Sequence, residues 1–233
     1  MSNEIVRQLA KAGHPPLVSV ASRIASGLVD LARGQVVGVT GPSSVGKSTF
    51  SQAIREEVLR RGLTVEVVGA DHFLRPELRG ETHYREGQDT PLTPEDFDFD
   101  ALSRLIAALR AGCSVDFDTY DRGLGWRGID RHLEPVEILL VEGLFLDSVQ
   151  AARAIDFDLV ILLEAPWDTI ASSRRHRDEQ FRQTGSGSFR SRQETEEEIR
   201  RTQESYLKYE RSKLPRRRLA MRFDSDLHLA DVR

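Results

Sequence analysis

The chain has 233 residues, of which 39% are hydrophobic and 30% charged, and its net charge is −4. This is the composition of a globular α/β protein of one domain with a small lid, long enough to bury a core without a disulfide or metal staple. The mildly acidic balance argues against a nucleic-acid binder, the single cysteine excludes an internal disulfide framework and fits a reducing cytoplasm, and no run of 18 apolar residues is present to span a membrane.

Residues 5–32 carry apolar residues at helical spacing, and His14-Pro15-Pro16 splits them into two helices because proline removes a donor and clashes with the preceding turn. Residues 1–33 lack the basic segment, apolar run and cleavage site of a signal peptide. They read as an N-terminal helical extension whose amphipathic faces offer a surface for a homodimer. Residues 35–40 (QVVGVT) form a short buried strand, residues 46–61 a helix closed by Gly62, and residues 63–68 (LTVEVV) a second strand. Residues 69–94 lack periodicity and read as a long functional loop. A helix over 94–111 follows, with Glu95 and Asp96 in its first turn, where the helix dipole favours acids. Strands are expected at 114–117, 137–141 and 159–163, and Cys113 reads as a small apolar filler. An arginine-rich helix over 166–183 leads to a flexible tip at 185–188 (GSGS), then a charged helix over 194–213 and a last edge strand at 219–223. Apolar strands alternating with helices mean an α/β three-layer sandwich, a mainly parallel sheet covered by helices on both faces. Residues 34–233 form this domain, with a lid at about 166–193.

The segment Gly41-Pro42-Ser43-Ser44-Val45-Gly46-Lys47-Ser48 matches G-x-x-x-x-G-K-[ST], the phosphate-binding P-loop. Average residue usage produces such a match by chance in about one chain in a hundred of this length. Here it also follows a strand and opens a helix, as the motif requires. Its backbone amides and the positive end of the helix cradle phosphate oxygens. Lys47 neutralises the β- and γ-phosphates, the Ser48 hydroxyl ligates Mg²⁺, and Thr49 stands next in the helix.

Carboxylates near the γ-phosphate belong at the C-terminal ends of strands. Asp71 follows the second strand and Glu142 the strand at 137–141. Asp71 suits either a base that accepts the acceptor's proton or a group that positions Mg²⁺ and water, and Glu142 suits a holder of the metal or its waters. Each alone could equally be a helix cap or turn acid. In the run RRHRDEQFR at 174–182, Arg174 and Arg177 share a helix face and could clamp the transferring phosphoryl group. The alternative is a solvated face salt-bridged to Asp178 and Glu179; the P-loop context favours the clamp. Arg216-Arg217-Arg218 reads as solvated surface.

With those residues placed, residues 35–183 resemble the uridine kinase and phosphoribulokinase family of P-loop kinases. The resemblance rests on the P-loop, Asp71-His72-Phe73, Thr93-Pro94-Glu95-Asp96-Phe97-Asp98, the run from Val115 to Tyr120-Asp121, Val141-Glu142-Gly143, and the run from Arg174 to Asp178. It implies an ATP- and Mg²⁺-dependent kinase of a small-molecule acceptor, with Asp71 as catalytic base and Tyr120 and Arg127 lining the acceptor pocket. The acceptor is then expected between Phe73 and Arg127, with His83 among its contacts. Two departures bear on its identity. Leu92 stands where uridine kinases carry a ribose-gripping aspartate, and Gly125 where a histidine reads the pyrimidine; a site that lacks such polar groups loses selectivity for that substrate. The basic loop and the two departures point to an acceptor other than plain uridine. A GTP-dependent switch is excluded by the missing N-K-x-D reader, since Asn3 is the chain's one asparagine. A non-catalytic nucleotide-binding module has no need to retain Asp71.

Overall fold

In the computed structural model, β1 (Gln35–Thr40) is buried at every position because β5 (Ile138–Gly143) and β6 (Leu159–Glu164) pair with it in parallel on either side. The structure describes residues 15–29, 34–75, 92–121, 125–184, 191–209, 211 and 218–232, with 29, 121 and 125–130 described by backbone alone. β2 (Val65–Gly69) adds to β5 and β7 (Arg218–Phe223) to β6, both parallel, and β8 (Leu229–Val232) closes the sheet antiparallel to β7. The strand order is β2-β5-β1-β6-β7-β8. The strand at 219–223 is therefore covered by β8 and is not the edge that its sequence suggests.

Successive strand residues face opposite sides, and this alternation makes two cores. Val37, Val39, Leu140 and Ile161 pack under α1 (Leu17–Val29) and α2 (Lys47–Arg60). Val36, Val68, Leu139 and Val141 pack under α3 (Phe99–Arg110) and α4 (Val149–Ala154). Phe50, Ile54 and Val58 line one stripe of α2 at four-residue spacing and are fully buried, each contributing about 1.5–3 kcal/mol. The apolar face of α1, offered by the sequence as a dimer surface, is covered by this same chain: Val20, Ala21, Ile24, Ala25 and Leu28 are buried in the first core. Before α1, Leu229 N donates to Pro15 O at 2.9 Å and Leu17 N to Leu227 O at 3.1 Å, tying the segment to the β7–β8 turn. The helix expected before His14 lies outside the described residues.

Other boundaries differ from expectation for identifiable reasons. Residues 94–96 form a separate 3₁₀ turn closed by a Thr93–Asp96 capping box. Phe97, buried, bridges to Leu74, which interrupts the helix; Asp98 then caps α3, accepting from Ala101 N at 2.8 Å. Cys113 is exposed beyond the end of α3 and fills no core. β3 (Val115–Asp121) outruns the expected strand and pairs antiparallel with β4 (Gly125–Leu133) in a separate two-stranded sheet. β4 (GWRGIDRHL) has no apolar alternation to announce it. Arg131 ties it to β2 through Glu66 Oε2 at 2.6 Å and Val67 O at 3.1 Å.

After α5 (Trp167–Thr184), α6 (Arg192–Lys208) starts at a Ser191–Glu194 capping box and ends short of residue 213. It ends there because Tyr209 turns inward and donates to Oδ1 of buried Asp147 at 2.6 Å. Arg218 is likewise no solvated residue: it sits half-buried on β7, 3.7 Å from Asp147 Oδ2. Burial pushes the Tyr206 and Tyr209 hydroxyls well above their ordinary range, so both stay protonated.

Candidate active site

The P-loop leaves β1 at Gly41, whose φ of +148° is open to glycine and whose missing side chain is required, since a Cβ there would lie 2.4 Å from Leu163 O. Ser44 sits in the left-handed region at φ +69°, a strained conformation for a residue with a side chain. Its buried hydroxyl has no hydrogen-bond partner among the described residues. Lys47, in the first turn of α2, donates from Nζ to Gly41 O at 3.0 Å and Pro42 O at 2.8 Å, so its ammonium is held inside the loop. Ser48, one residue on, donates to Oε1 of Glu142 at 2.9 Å.

Strand register supplies the opposite wall. Glu142 on β5 pairs with Gly69 of β2 and Val39 of β1, so the three strands end at one level. β2 runs straight into a 3₁₀ turn, Ala70–Phe73, which lifts Asp71 to that level. The turn approaches β5 closely enough that a Cβ on Gly143 would lie 2.4 Å from Ala70 Cβ. Asp71, Glu142, Ser43, Ser44, Lys47, Ser48, Thr49, Ser173 and Arg177 thus line one cavity of about 440 Å³. A second, more open cavity of about 410 Å³ lies between the start of α5 and the β7–β8 turn; Ser173 lines both.

The lid arginines part company. Arg177 lines the cavity, whereas Arg174 is buried and donates from Nη1 to Ser43 Oγ at 3.0 Å. Asp178 stands between them, with Oδ2 3.3 Å from Arg174 Nε and Oδ1 3.7 Å from Arg177 Nε. Removing one member of such a buried pair costs about 3–5 kcal/mol. α6 braces this group: Thr195 donates to Asp178 Oδ2 at 3.1 Å, and Glu198 lies 3.7 Å from Arg174. On the outer face Arg175 grips Glu196 at 2.6 and 2.8 Å, which holds the Glu196 carboxyl below its usual range. Both of those side chains are exposed, so solvent screens that pair.

Among the other residues expected at the site, Val45 is buried in the first core, and Gly41 and Pro42 act through their carbonyls. Phe73 and Tyr120 belong to the second core: Phe73 stacks on Phe117 at 5.8 Å, and Tyr120 is buried with its backbone N–H donating to His72 Nδ1 at 2.9 Å. His83 lies outside the described residues, as do the side chain of Arg127 and the tip expected at 185–188. Sequence reasoning missed Ser173, although it stands four residues before Arg177 on the same helix face. It also missed Thr195 and Glu198, which no motif marks. Hard oxygen donors, the Ser48 hydroxyl and the Glu142 carboxylate, suit Mg²⁺, which takes one or two protein ligands and completes its shell with water and phosphate.

Comparison with known proteins agrees with this geometry. The chain is 29% identical to a uridine kinase of Lactococcus lactis subsp. cremoris (strain MG1363) over 146 residues, 61% of this chain and 68% of that protein. It is 30% identical to a pantothenate kinase of Mycobacterium sp. (strain KMS) over 148 residues, 58% of this chain and 45% of that one. The fold matches D-glycerate 3-kinase from Cryptococcus neoformans var. grubii with a TM-score of 0.71 at 11% identity, covering 93% of this chain and 98% of that one. The model of the Phosphoribulokinase / Uridine kinase family matches residues 36–217, most of the chain, and the protein belongs to that family of P-loop kinases.

Proposed function

We propose that the protein transfers the γ-phosphoryl group of ATP to a hydroxyl of a small-molecule acceptor of nucleoside-like size. The observation that carries this is the cavity in which Lys47 and Ser48 face Asp71, Glu142 and Arg177. Its volume suits a triphosphate tail and a reacting hydroxyl. The Ser44 hydroxyl, without a hydrogen-bond partner among the described residues, and the strained loop suit phosphate oxygens.

The roles follow from placement. The loop amides orient the phosphates, and Lys47 turns from the Gly41 and Pro42 carbonyls to the β- and γ-phosphates. Ser48 and Glu142 hold Mg²⁺, which when bound neutralises phosphate charge. Asp71, at the end of β2, accepts the proton of the acceptor hydroxyl. Arg177 offers positive charge where the transferring group becomes negative. Arg174, through Ser43, holds the lid helix on the loop. The second cavity, which shares Ser173 with the first, accommodates the nucleotide base.

Leu92 packs against the second core at the position where a ribose-gripping aspartate would stand. Together with the missing pyrimidine reader at Gly125, this favours an acceptor other than uridine or cytidine, such as nicotinamide riboside, pantothenate or a sugar. The basic loop residues Arg75, Arg79, His83 and Arg85 favour one that carries a carboxylate or phosphate. A panel screen of acceptor-dependent ADP release is the test. Uridine or cytidine used at a kcat/KM above about 10⁴ M⁻¹s⁻¹, an ordinary value for a true substrate, would refute the acceptor preference and leave the kinase reading intact.

A further inference from the structure

We propose that Thr195 is a positioning residue for both lid arginines, acting through the buried carboxylate of Asp178. The inference rests on the reading of Arg177 as a group that meets the transferring phosphoryl.

Thr195, Asp178 and Arg174 are 2%, 6% and 4% exposed, so each polar atom among them depends on its protein partners. The Thr195 hydroxyl has one proton and two acceptors within reach, Asp178 Oδ2 and Ser191 O, both at 3.1 Å. A carboxylate oxygen is a stronger acceptor than a backbone carbonyl, so the hydroxyl donates to Asp178. Arg182 Nη1, 3.4 Å from Thr195 Oγ1, donates to the hydroxyl from the other side and favours the same direction. The hydroxyl therefore anchors one oxygen of Asp178 from a different helix.

That anchor has a mechanical consequence. An aspartate carboxylate turns about its last torsion in a broad, nearly two-fold well. Fixing Oδ2 on Thr195 leaves that oxygen to accept from Arg174 Nε and presents Oδ1 to Arg177 Nε. One hydroxyl on α6 thus sets two guanidinium groups on α5, one docked on Ser43 of the P-loop and one lining the cavity. A purely structural role for Thr195 in joining the helices is the competing account. Helix docking has independent ties in Arg175–Glu196 and Arg192–Glu179, so it survives loss of the hydroxyl, whereas the carboxylate's orientation does not.

The test compares Thr195→Val, which keeps shape and removes the hydroxyl, with Thr195→Ser, which keeps the hydroxyl. With the acceptor that turns over, Thr195→Val is expected to lower kcat about 10-fold while KM for ATP stays within about 3-fold, and Thr195→Ser to restore kcat. A Thr195→Val enzyme with wild-type kcat, or a Thr195→Ser enzyme as slow as it, would overturn the proposal. A second readout needs no acceptor: the Nε–H resonances of Arg174 and Arg177 in nucleotide-free ¹⁵N-labelled protein, assigned with Arg174→Lys and Arg177→Lys. Both are expected to shift in Thr195→Val and return in Thr195→Ser, and unshifted resonances would overturn the proposal. A wild-type protein that turns over no acceptor, yet shows those shifts, would sink the proposed function and uphold the relay.

Discussion

The hydroxyl of Ser48 donates a 2.9 Å hydrogen bond to Oε1 of Glu142, joining the first turn of α2 to the end of β5 across 94 residues of chain. This contact fixes the distance between the phosphate loop and the acidic wall, and it pairs the two oxygen donors that suit Mg²⁺. Glu142→Gln keeps an acceptor for Ser48 and removes the charge. It is expected to weaken the Mg²⁺ dependence of turnover about 10- to 100-fold, read as a shift in the half-saturating metal concentration. An unchanged metal titration would show that Glu142 serves the loop's architecture alone.

Lys47 is bonded to two carbonyls of its own loop, so its removal touches the fold as well as the chemistry. Lys47→Met is expected to lower phosphoryl transfer by about 10²- to 10³-fold, the scale of losing one aligned charge donor, while the melting temperature drops by a few degrees. Parallel assays of ADP release and thermal melting separate the two effects. Full turnover in a folded Lys47→Met protein is the outcome that the phosphate assignment does not survive.

Asp71 stands on the 3₁₀ turn after β2, facing the P-loop across the cavity. In the proposed role of general base, Asp71→Asn is expected to be slower by about 10²-fold or more, with ATP affinity nearly unchanged. Loss of ATP binding with turnover preserved would instead make Asp71 a holder of metal and water.

The close approach of Gly143 to Ala70 is what keeps Asp71 beside Glu142. Gly143→Ala brings two side chains anchored to rigid backbone into collision, and is expected to cost about 1–3 kcal/mol and to lower kcat by displacing the turn. Adding Ala70→Gly removes the colliding atom, and recovery of part of both losses in the double variant checks the cause. Additive losses would locate the damage elsewhere.

How much of this was legible in the sequence depended on whether the chemistry was contiguous. The P-loop is written in eight consecutive residues between a strand and a helix, so its placement followed from spacing. Asp71 and Glu142 were found because each directly follows an apolar strand, and strand ends in a parallel sheet meet at one face. The division between Arg174 and Arg177 was hidden: three-residue spacing puts both on one helix face, but the partners that separate them, Ser43, Thr195 and Glu198, come from distant segments. β4 was missed because its polar residues show no alternation, and β3–β4 holds together through pairing and Arg131. The end of α6 was misread because the inward turn of Tyr209 serves Asp147, a buried acid 62 residues earlier.

His132 on β4 gives a pH-dependent prediction away from the site. The hydrogen bond that His132 donates to Asp116, followed by the one it donates to Glu134, raises its pKa above the ordinary imidazole value of about 6.5. A raised folded pKa means that the stabilising charge is fully present below about 6.5 and is lost as pH rises through the folded value. An NMR titration of His132 is expected to show a midpoint above 6.5 that falls in Asp116→Asn. A midpoint unmoved by that change would mean the carboxylate does not hold the proton.

³¹P NMR of the reaction reads transfer of the γ-phosphoryl group to a small-molecule hydroxyl without an intermediary assay. With Mg²⁺, ATP and the acceptor panel, the γ-phosphate signal of ATP is expected to be replaced by a new phosphomonoester signal with at least one acceptor, and Asp71→Asn to suppress it. A protein that binds ATP yet yields ADP and inorganic phosphate alone with every acceptor would not be a kinase of these acceptors.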